Sequence, residues 1–179
     1  MKVLIVIDMQ EDFVNGVLGT PQARAIVPKV AAKVKEYTNS KEETVIIYTK
    51  DTHYDNYMDT MEGKYLPVPH CIINTNGWLI VPEVYTEDSD VVEKTTFGRI
   101  ALPHEVMTSC GLKYEKVDIE SIELVGVCTD ICVISNALIL KTYFDDIPII
   151  VDSACCAGVT PAKHEAALEV MRSCQIEVI

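Results

Sequence analysis

Positive charge is scarce in this sequence. Lys and Arg number 15 against 27 Asp and Glu, a formal net charge of −12. Neither phosphate backbones nor anionic lipids attract such a surface, which excludes nucleic acid and acidic membranes as partners. No apolar run approaches the ~20 residues that cross a bilayer. The apolar stretch at 3–7 is too short for a signal-peptide core and stops at Asp8, so a cytoplasmic protein is expected. Cys-x-x-Cys spacings are missing, and the 7 cysteines are odd in number. In a reducing compartment they read as thiols and not as a disulfide framework. Repeats, low-complexity segments and linkers are also missing. With 179 residues, 49% hydrophobic and 23% charged, the chain suits one domain over 1–179 with a sizeable core.

What is present is an alternation of strand and helix patterns. Residues 3–7 form a continuous apolar, β-branched run, as a central strand covered on both faces requires. Residues 44–48 repeat the pattern, residues 91–92 give a short strand ending at Glu93-Lys94, and 122–125, 147–151 and 176–179 follow. Helical spacing spans 27–37, with Val27, Val30, Ala31 and Val34 inward and Pro28 in the first turn. It recurs over 103–110 and from 131 to 143, through Ile131, Ile134, Ala137, Leu138 and Leu140. A last helix at 161–172 is expected to face Ala166, Ala167, Val170 and Met171 inward. Such alternation predicts a three-layer α/β/α fold around a mostly parallel six-stranded sheet. The segment 54–76 is long and rich in Pro, Gly and Asp, and connections of that length in compact domains usually carry function.

In a parallel sheet, ligands bind beyond the carboxyl ends of the strands. Asp8 ends the first strand, Asp51 follows the second, Lys94 ends the third, and Gly126-Val127-Cys128-Thr129-Asp130-Ile131-Cys132-Val133 follows the fourth. Cys132 falls in the first turn of the next helix, where free N–H groups and the helix dipole push a thiol towards thiolate. A carboxylate, an ammonium and a thiol in one cleft make a base, an electrostatic partner and a nucleophile. Asp8 is placed to take the thiol proton, Lys94 favours both anions, and N–H groups at Cys128 and Cys132 suit an oxyanion. Singly, Asp8 also reads as a turn cap, Lys94 as a solvated strand end and Cys132 as a small core residue. Their shared edge favours catalysis. A second set is Asp51, His53 and His70. Asp-x-His puts two ligands on one side of an extended segment, and His70 returns from the far end of the loop. Imidazole and carboxylate suit Zn²⁺, Fe²⁺ or Mn²⁺, although histidines in loops are usually solvated. His104 and His164 read as surface or capping residues.

These residues resemble the isochorismatase-like cysteine hydrolases, and within them the nicotinamidase branch, along nearly the whole chain. The likeness rests on Ile5-Val6-Ile7-Asp8-Met9-Gln10-Glu11-Asp12-Phe13, Asp51-Thr52-His53, Pro69-His70-Cys71, Glu93-Lys94, the segment from Gly126 to Val133, and Asp152-Ser153-Ala154-Cys155. It implies a Rossmann-like fold with Cys132 as nucleophile, Asp8 as general base and Lys94 as the third member of the triad. It further implies an oxyanion hole at the N–H groups of Cys128 and Cys132, and a cis peptide at Val127–Cys128. A divalent transition metal (Zn, Fe or Mn) on Asp51, His53 and His70 is implied too, as are a small amide substrate and a homo-oligomer, dimer or tetramer. Nicotinamide to nicotinate is the first candidate reaction.

One departure stands out. The nicotinamidase branch carries an aromatic residue three positions before the metal-binding His. Here Pro67 holds that place, preceded by Leu66. Phe13 and Phe97 remain as ring contacts, with Leu66 and Pro67 lining the pocket. One missing aromatic face forfeits about 1 kcal/mol of stacking, which leaves room for another small amide. Asp59 or Glu62 stands in for a further ligand within the loop. Two alternatives stay open: a metal-free isochorismatase or carbamoyl amidohydrolase of the same superfamily, and a non-catalytic, redox-sensing protein using Cys128 and Cys132.

Overall fold

The computed structural model describes residues 1–87, 89–111 and 119–179. Its centre is β1 (Lys2–Ile7), in which Val3 to Ile7 have no solvent exposure. The sheet is six-stranded in the order β3-β2-β1-β4-β5-β6, with β2 (Thr44–Asp51), β3 (Asp90–Lys94), β4 (Ser121–Val127), β5 (Ile149–Ala157) and β6 (Glu177–Val178). Every pairing is parallel, so the sheet is parallel throughout. Alternation along β1 splits the core. Leu4 and Val6 pack with Val30, Val34 and Tyr37 of α2 (Pro21–Thr38). Val3, Ile5 and Ile7 share the opposite core with Leu102 and Val106 of α4 (Leu102–Ser109), Ala137 and Leu140 of α5 (Ile134–Tyr143), and Met171 of α6 (Pro161–Ser173). Two short helices, α1 (Glu11–Val14) and α3 (Met61–Tyr65), lie in the connections after β1 and β2. Among the described residues, no helix is long and apolar enough to cross a membrane.

Several boundaries differ from the periodicity, each for a local reason. The helix expected at 27–37 begins at Pro21, because Thr20 caps it by accepting the Ala23 N–H. Pro28 is therefore inside the helix and not in its first turn, on the exposed side, where water can serve the carbonyl its ring leaves unpaired. β5 begins at Ile149 and runs through polar Asp152 and Ser153 to Ala157. The inward face of α6 is Ala167, Leu168 and Met171, while Ala166 and Val170 are exposed. Gly126 has φ +116°, and a Cβ there would collide with the Ile7 carbonyl. Only glycine lets the end of β4 lie this close to β1.

The core under α2 contains charge. Glu123, buried in the middle of β4, meets Lys33 at 2.8 Å and accepts the Tyr37 hydroxyl proton at 2.8 Å. Lys33 also reaches Asp152 at 3.1 Å. Burial opposes the Lys33 charge, but both carboxylates outweigh it and hold the ammonium above its ordinary range. Burial likewise pushes Asp152 up, yet Lys33 and nearby hydrogen bonds outweigh it and hold this carboxyl below its usual range. A carboxyl held low stabilises the fold above the unfolded pKa of ~3.9 and ceases to as pH falls through its folded value. Lys33→Met leaves two partly buried carboxylates unpaired. It is expected to cost about 2–4 kcal/mol in urea unfolding at neutral pH, with the gap to wild type closing below about pH 4.

Candidate active site

Three adjacent strands end at one height because their register is parallel, Asp51 pairing with Lys94 across β2 and β3. Asp8 follows β1 in the left-handed region, φ 47°, a conformation that Asp tolerates better than most residues. Thr49 of β2 fixes it on both sides, accepting the Asp8 N–H at 3.1 Å and donating its hydroxyl to Asp8 Oδ1 at 2.6 Å. Lys94 Nζ lies 2.7 Å from Asp8 Oδ2 and 3.2 Å from Asp51 Oδ1. It also lies 3.6 Å from Cys132 Sγ. All four side chains are buried. The structure thus brings Asp8, Lys94 and Cys132 together as the strand ends implied.

Cys132 does not sit in the first turn of a regular α-helix. Thr129–Val133 form a wider π-turn, in which the Val133 N–H reaches back to the Cys128 carbonyl at 3.0 Å, and α5 starts only at Ile134. The expectation of an acidified thiol is also corrected. Burial, then the Asp8 charge, push the Cys132 thiol well up, and Lys94 only partly opposes them. Burial likewise raises the Asp8 carboxyl against the pull of Lys94, while Asp8 and the other anions hold Lys94 charged despite its burial. The Val127–Cys128 peptide is cis. Asn136, fully buried, donates to the Cys132 carbonyl at 2.8 Å and to the Phe97 carbonyl at 3.2 Å, and accepts the Arg99 N–H at 2.9 Å. This amide ties the turn carrying Cys132 to the loop after β3.

Beside Asp8, Lys94 and Cys132, the residues Asp51, His53, Glu62 and His70 converge, each offering one donor atom, all within 4.8 Å of one another. Asp51 Oδ2 lies 3.0 Å from His53 Nε2 and 3.5 Å from His70 Nε2. Glu62 Oε1 lies 3.7 Å from both imidazoles. His70 Nδ1 is 2.8 Å from the Val68 carbonyl. A carbonyl only accepts, so Nδ1 carries the proton and Nε2 is left for the cluster. Tyr57 packs edge-on against His53 and His70, at 4.8 and 5.1 Å between centroids, and Phe13 lies 5.4 Å from His70. Burial pushes Asp51 up, but both imidazoles and Lys94 outweigh it and hold this carboxyl well below its ordinary range. Two carboxylates and two imidazoles, that of His70 with its tautomer fixed, form a donor set that fits a divalent transition metal. Asp59 stays exposed, so Glu62 is the loop acid that reaches the cluster.

The loop after β1 braces this cluster from behind. Gln10 is fully buried and grips the Asp51 backbone twice, accepting its N–H at 2.7 Å and donating to its carbonyl at 2.9 Å. Asp12 accepts the N–H of Cys71, next to His70, at 2.8 Å. Sequence reading quoted both residues without a role. Two polar residues straight after a buried strand were the available signal. A cavity of about 970 Å³ opens onto Asp51, His53, His70 and Cys132 and is lined also by Phe13, Leu66 and Phe97. Pro67 is exposed and does not line it. His164 Nδ1 lies 2.8 Å from the Thr129 hydroxyl, and His104 stacks edge-on with Tyr143. All seven cysteines are free thiols, and only Cys174 is exposed.

A parallel sheet with an acid, an amine, a thiol and a convergent donor set along its carboxyl edge defines an α/β enzyme with its cleft where the strand order reverses. The Isochorismatase domain model matches residues 2–179. The chain belongs to the isochorismatase family and is an enzyme of the isochorismatase-like amidohydrolase superfamily. It is 26% identical over 193 aligned residues to the nicotinamidase/pyrazinamidase of Mycobacterium tuberculosis, covering all of this chain and 98% of the relative. The pyrazinamidase of Pyrococcus horikoshii, solved in complex with zinc, superposes with a TM-score of 0.79 at 25% identity, covering 99% and 98% of the two chains. An isochorismatase-like hydrolase from Alkaliphilus metalliredigens has the same fold, with a TM-score of 0.81 at 23% identity over 99% and 93%.

The placement of Lys94 between two buried carboxylates has an energetic consequence. Lys94→Met is expected to destabilise the chelator-treated protein by about 3–5 kcal/mol in urea unfolding. Asp8→Asn in the same chain should recover a substantial part of that loss, because one unpaired charge is removed.

Proposed function

We propose that this protein is a cysteine amidohydrolase of the nicotinamidase type, cleaving a small primary carboxamide through a thioester and releasing ammonia. Nicotinamide to nicotinate is the first candidate. The reading is carried by one observation, the contact of Lys94 with Asp8, Asp51 and Cys132 together. Cys132 is the nucleophile. Asp8, a stronger base for being buried, takes the Sγ proton as sulfur attacks the amide carbon. Lys94 steadies the negative charge on Asp8 and on the sulfur. Backbone N–H groups of Cys128 and Cys132 receive the developing oxyanion. Asp8 then returns the proton to the nitrogen, the C–N bond breaks and ammonia leaves. In the second half Asp8 takes a proton from water, hydroxide adds to the thioester, the C–S bond breaks, and the thiolate regains its proton. Acid product and resting thiol result.

Asp51, His53 and His70, with Glu62, would hold a divalent transition metal, Zn²⁺, Fe²⁺ or Mn²⁺. Such an ion, when bound, supplies a Lewis-acidic anchor for a ring nitrogen of the substrate. The four converging donors favour this reading over a metal-free hydrolase, which has no use for them. Phe13, packed on His70, lines the pocket beside the ring, and Phe97 and Leu66 line the same cavity. The family match over 2–179 supports one domain.

Ammonia release is the direct test. Metal-loaded protein is expected to convert nicotinamide or pyrazinamide, with Cys132→Ala at least about 1,000-fold slower. Metal-loaded protein that leaves both untouched would remove these substrates. Metal affinity tests the donor set separately. Because Gln10 holds Asp51 by its backbone, Gln10→Ala should weaken zinc binding about 10–100-fold in a chelator competition, while Cys132→Ala binds as wild type does.

A further inference from the structure

The cavity is far larger than one ring with an amide. Its volume of about 970 Å³ lies at the top of the ~300–1,000 Å³ range of pockets that enclose drug-sized ligands. The wall bearing Cys132 and the donor set occupies one part of it. The remainder is lined largely by carbon, from Tyr54, Met61, Tyr65, Leu66 and Phe97. These side chains are 52%, 64%, 86%, 36% and 48% exposed. Large apolar residues scattered singly over a surface need no explanation, but a contiguous set on the rim of a reactive cleft does. Charge is sparse there. Lys163 is the one Lys or Arg among the lining residues, and the acids, Asp51 and Glu62, belong to the donor set.

The aromatic groups nearest the donor set are already engaged. Phe13 packs on His70, while Tyr57 packs on both imidazoles and donates its hydroxyl to the Leu66 carbonyl at 2.8 Å. Pro67 turns outward and offers nothing. A lone ring beside Cys132 would therefore find little stacking surface, while the wide apolar lining from Met61, Tyr65, Leu66 and Phe97 would stay wet. Binding free energy for this cleft is available mainly along that lining.

We propose that the physiological substrate is a primary carboxamide carrying an uncharged apolar extension, a second ring or a short alkyl chain. The extension lies against Met61, Tyr65, Leu66 and Phe97 while the amide faces Cys132. This rests on the amidohydrolase reading above and adds the substrate class. The bond changes are those of that reaction, with the extension leaving on the acid product.

The test is a kinetic series on metal-loaded protein, comparing nicotinamide with nicotinamides bearing a phenyl or butyl group at each open ring carbon. At least one extended amide is expected to exceed nicotinamide in kcat/KM by about tenfold or more, mainly through KM. Calorimetric binding of the uncleaved amides to Cys132→Ala should follow the same order. Tyr65→Ser, on the exposed rim, is expected to lower the ratio of extended to parent kcat/KM by about fivefold or more. Turnover of nicotinamide with no gain from any extension, or a ratio that Tyr65→Ser does not change, overturns the inference and leaves the amidohydrolase reading standing. If no amide of the series is cleaved, both are overturned.

Discussion

The site depends on one ammonium. Lys94 is buried against two carboxylates that would otherwise face each other without compensation, and it touches the Cys132 thiol as well. Burying an ion costs several kcal/mol unless its partners are close and well aligned, so this amine fixes where Asp8 and Asp51 can be. Parallel register makes that possible, since β1, β2 and β3 end side by side and each delivers one charged group at the same level. The thiol arrives from β4 on the far side of the gap where strand order reverses. Chain topology, not local sequence, sets the separation between sulfur and carboxylate.

Much of this could be read from residues alone, and the reasons are specific. Val3 to Ile7 are uninterrupted apolar, β-branched residues, which only a doubly covered strand accommodates, and the polar residue ending such a run must sit at the sheet's edge. Asp8, Asp51 and Lys94 lie at that edge, at or just past the ends of β1, β2 and β3. Other features were hidden by tertiary compensation. Asp152 interrupts an apolar run and reads as a strand end, yet β5 continues because Lys33 from another element neutralises it. The start of α2 was missed because the Thr20 cap precedes the first apolar repeat. The sequence offers Asp59 or Glu62 as the loop acid, and the choice between them is set by a short helix within a long connection, where no spacing rule applies. At Cys132 the helix-start expectation meets a different opposition. A helix start lowers a thiol's pKa only when solvent or a cation dominates its surroundings, and here burial and the neighbouring carboxylate win.

The family membership and the geometry support each other without being the same statement. Membership fixes the architecture and the kind of chemistry, hydrolysis. It leaves the identity of the amide to the cleft's own surfaces. Those surfaces divide into a small charged wall and a large carbon-lined lobe, a division that no residue pattern in the sequence announces because its members come from separate loops.

The turn after β1 couples the two halves of the site. Asp8 faces the thiol, while Gln10 and Asp12, two and four residues on, hold the backbones of Asp51 and of the residue after His70. A displacement of this turn moves the Asp8 carboxyl and the donor set together. Neither half can therefore shift alone through this segment, because a change at Gln10 or Asp12 is felt at Asp51 and at the residue after His70 as well as at Asp8.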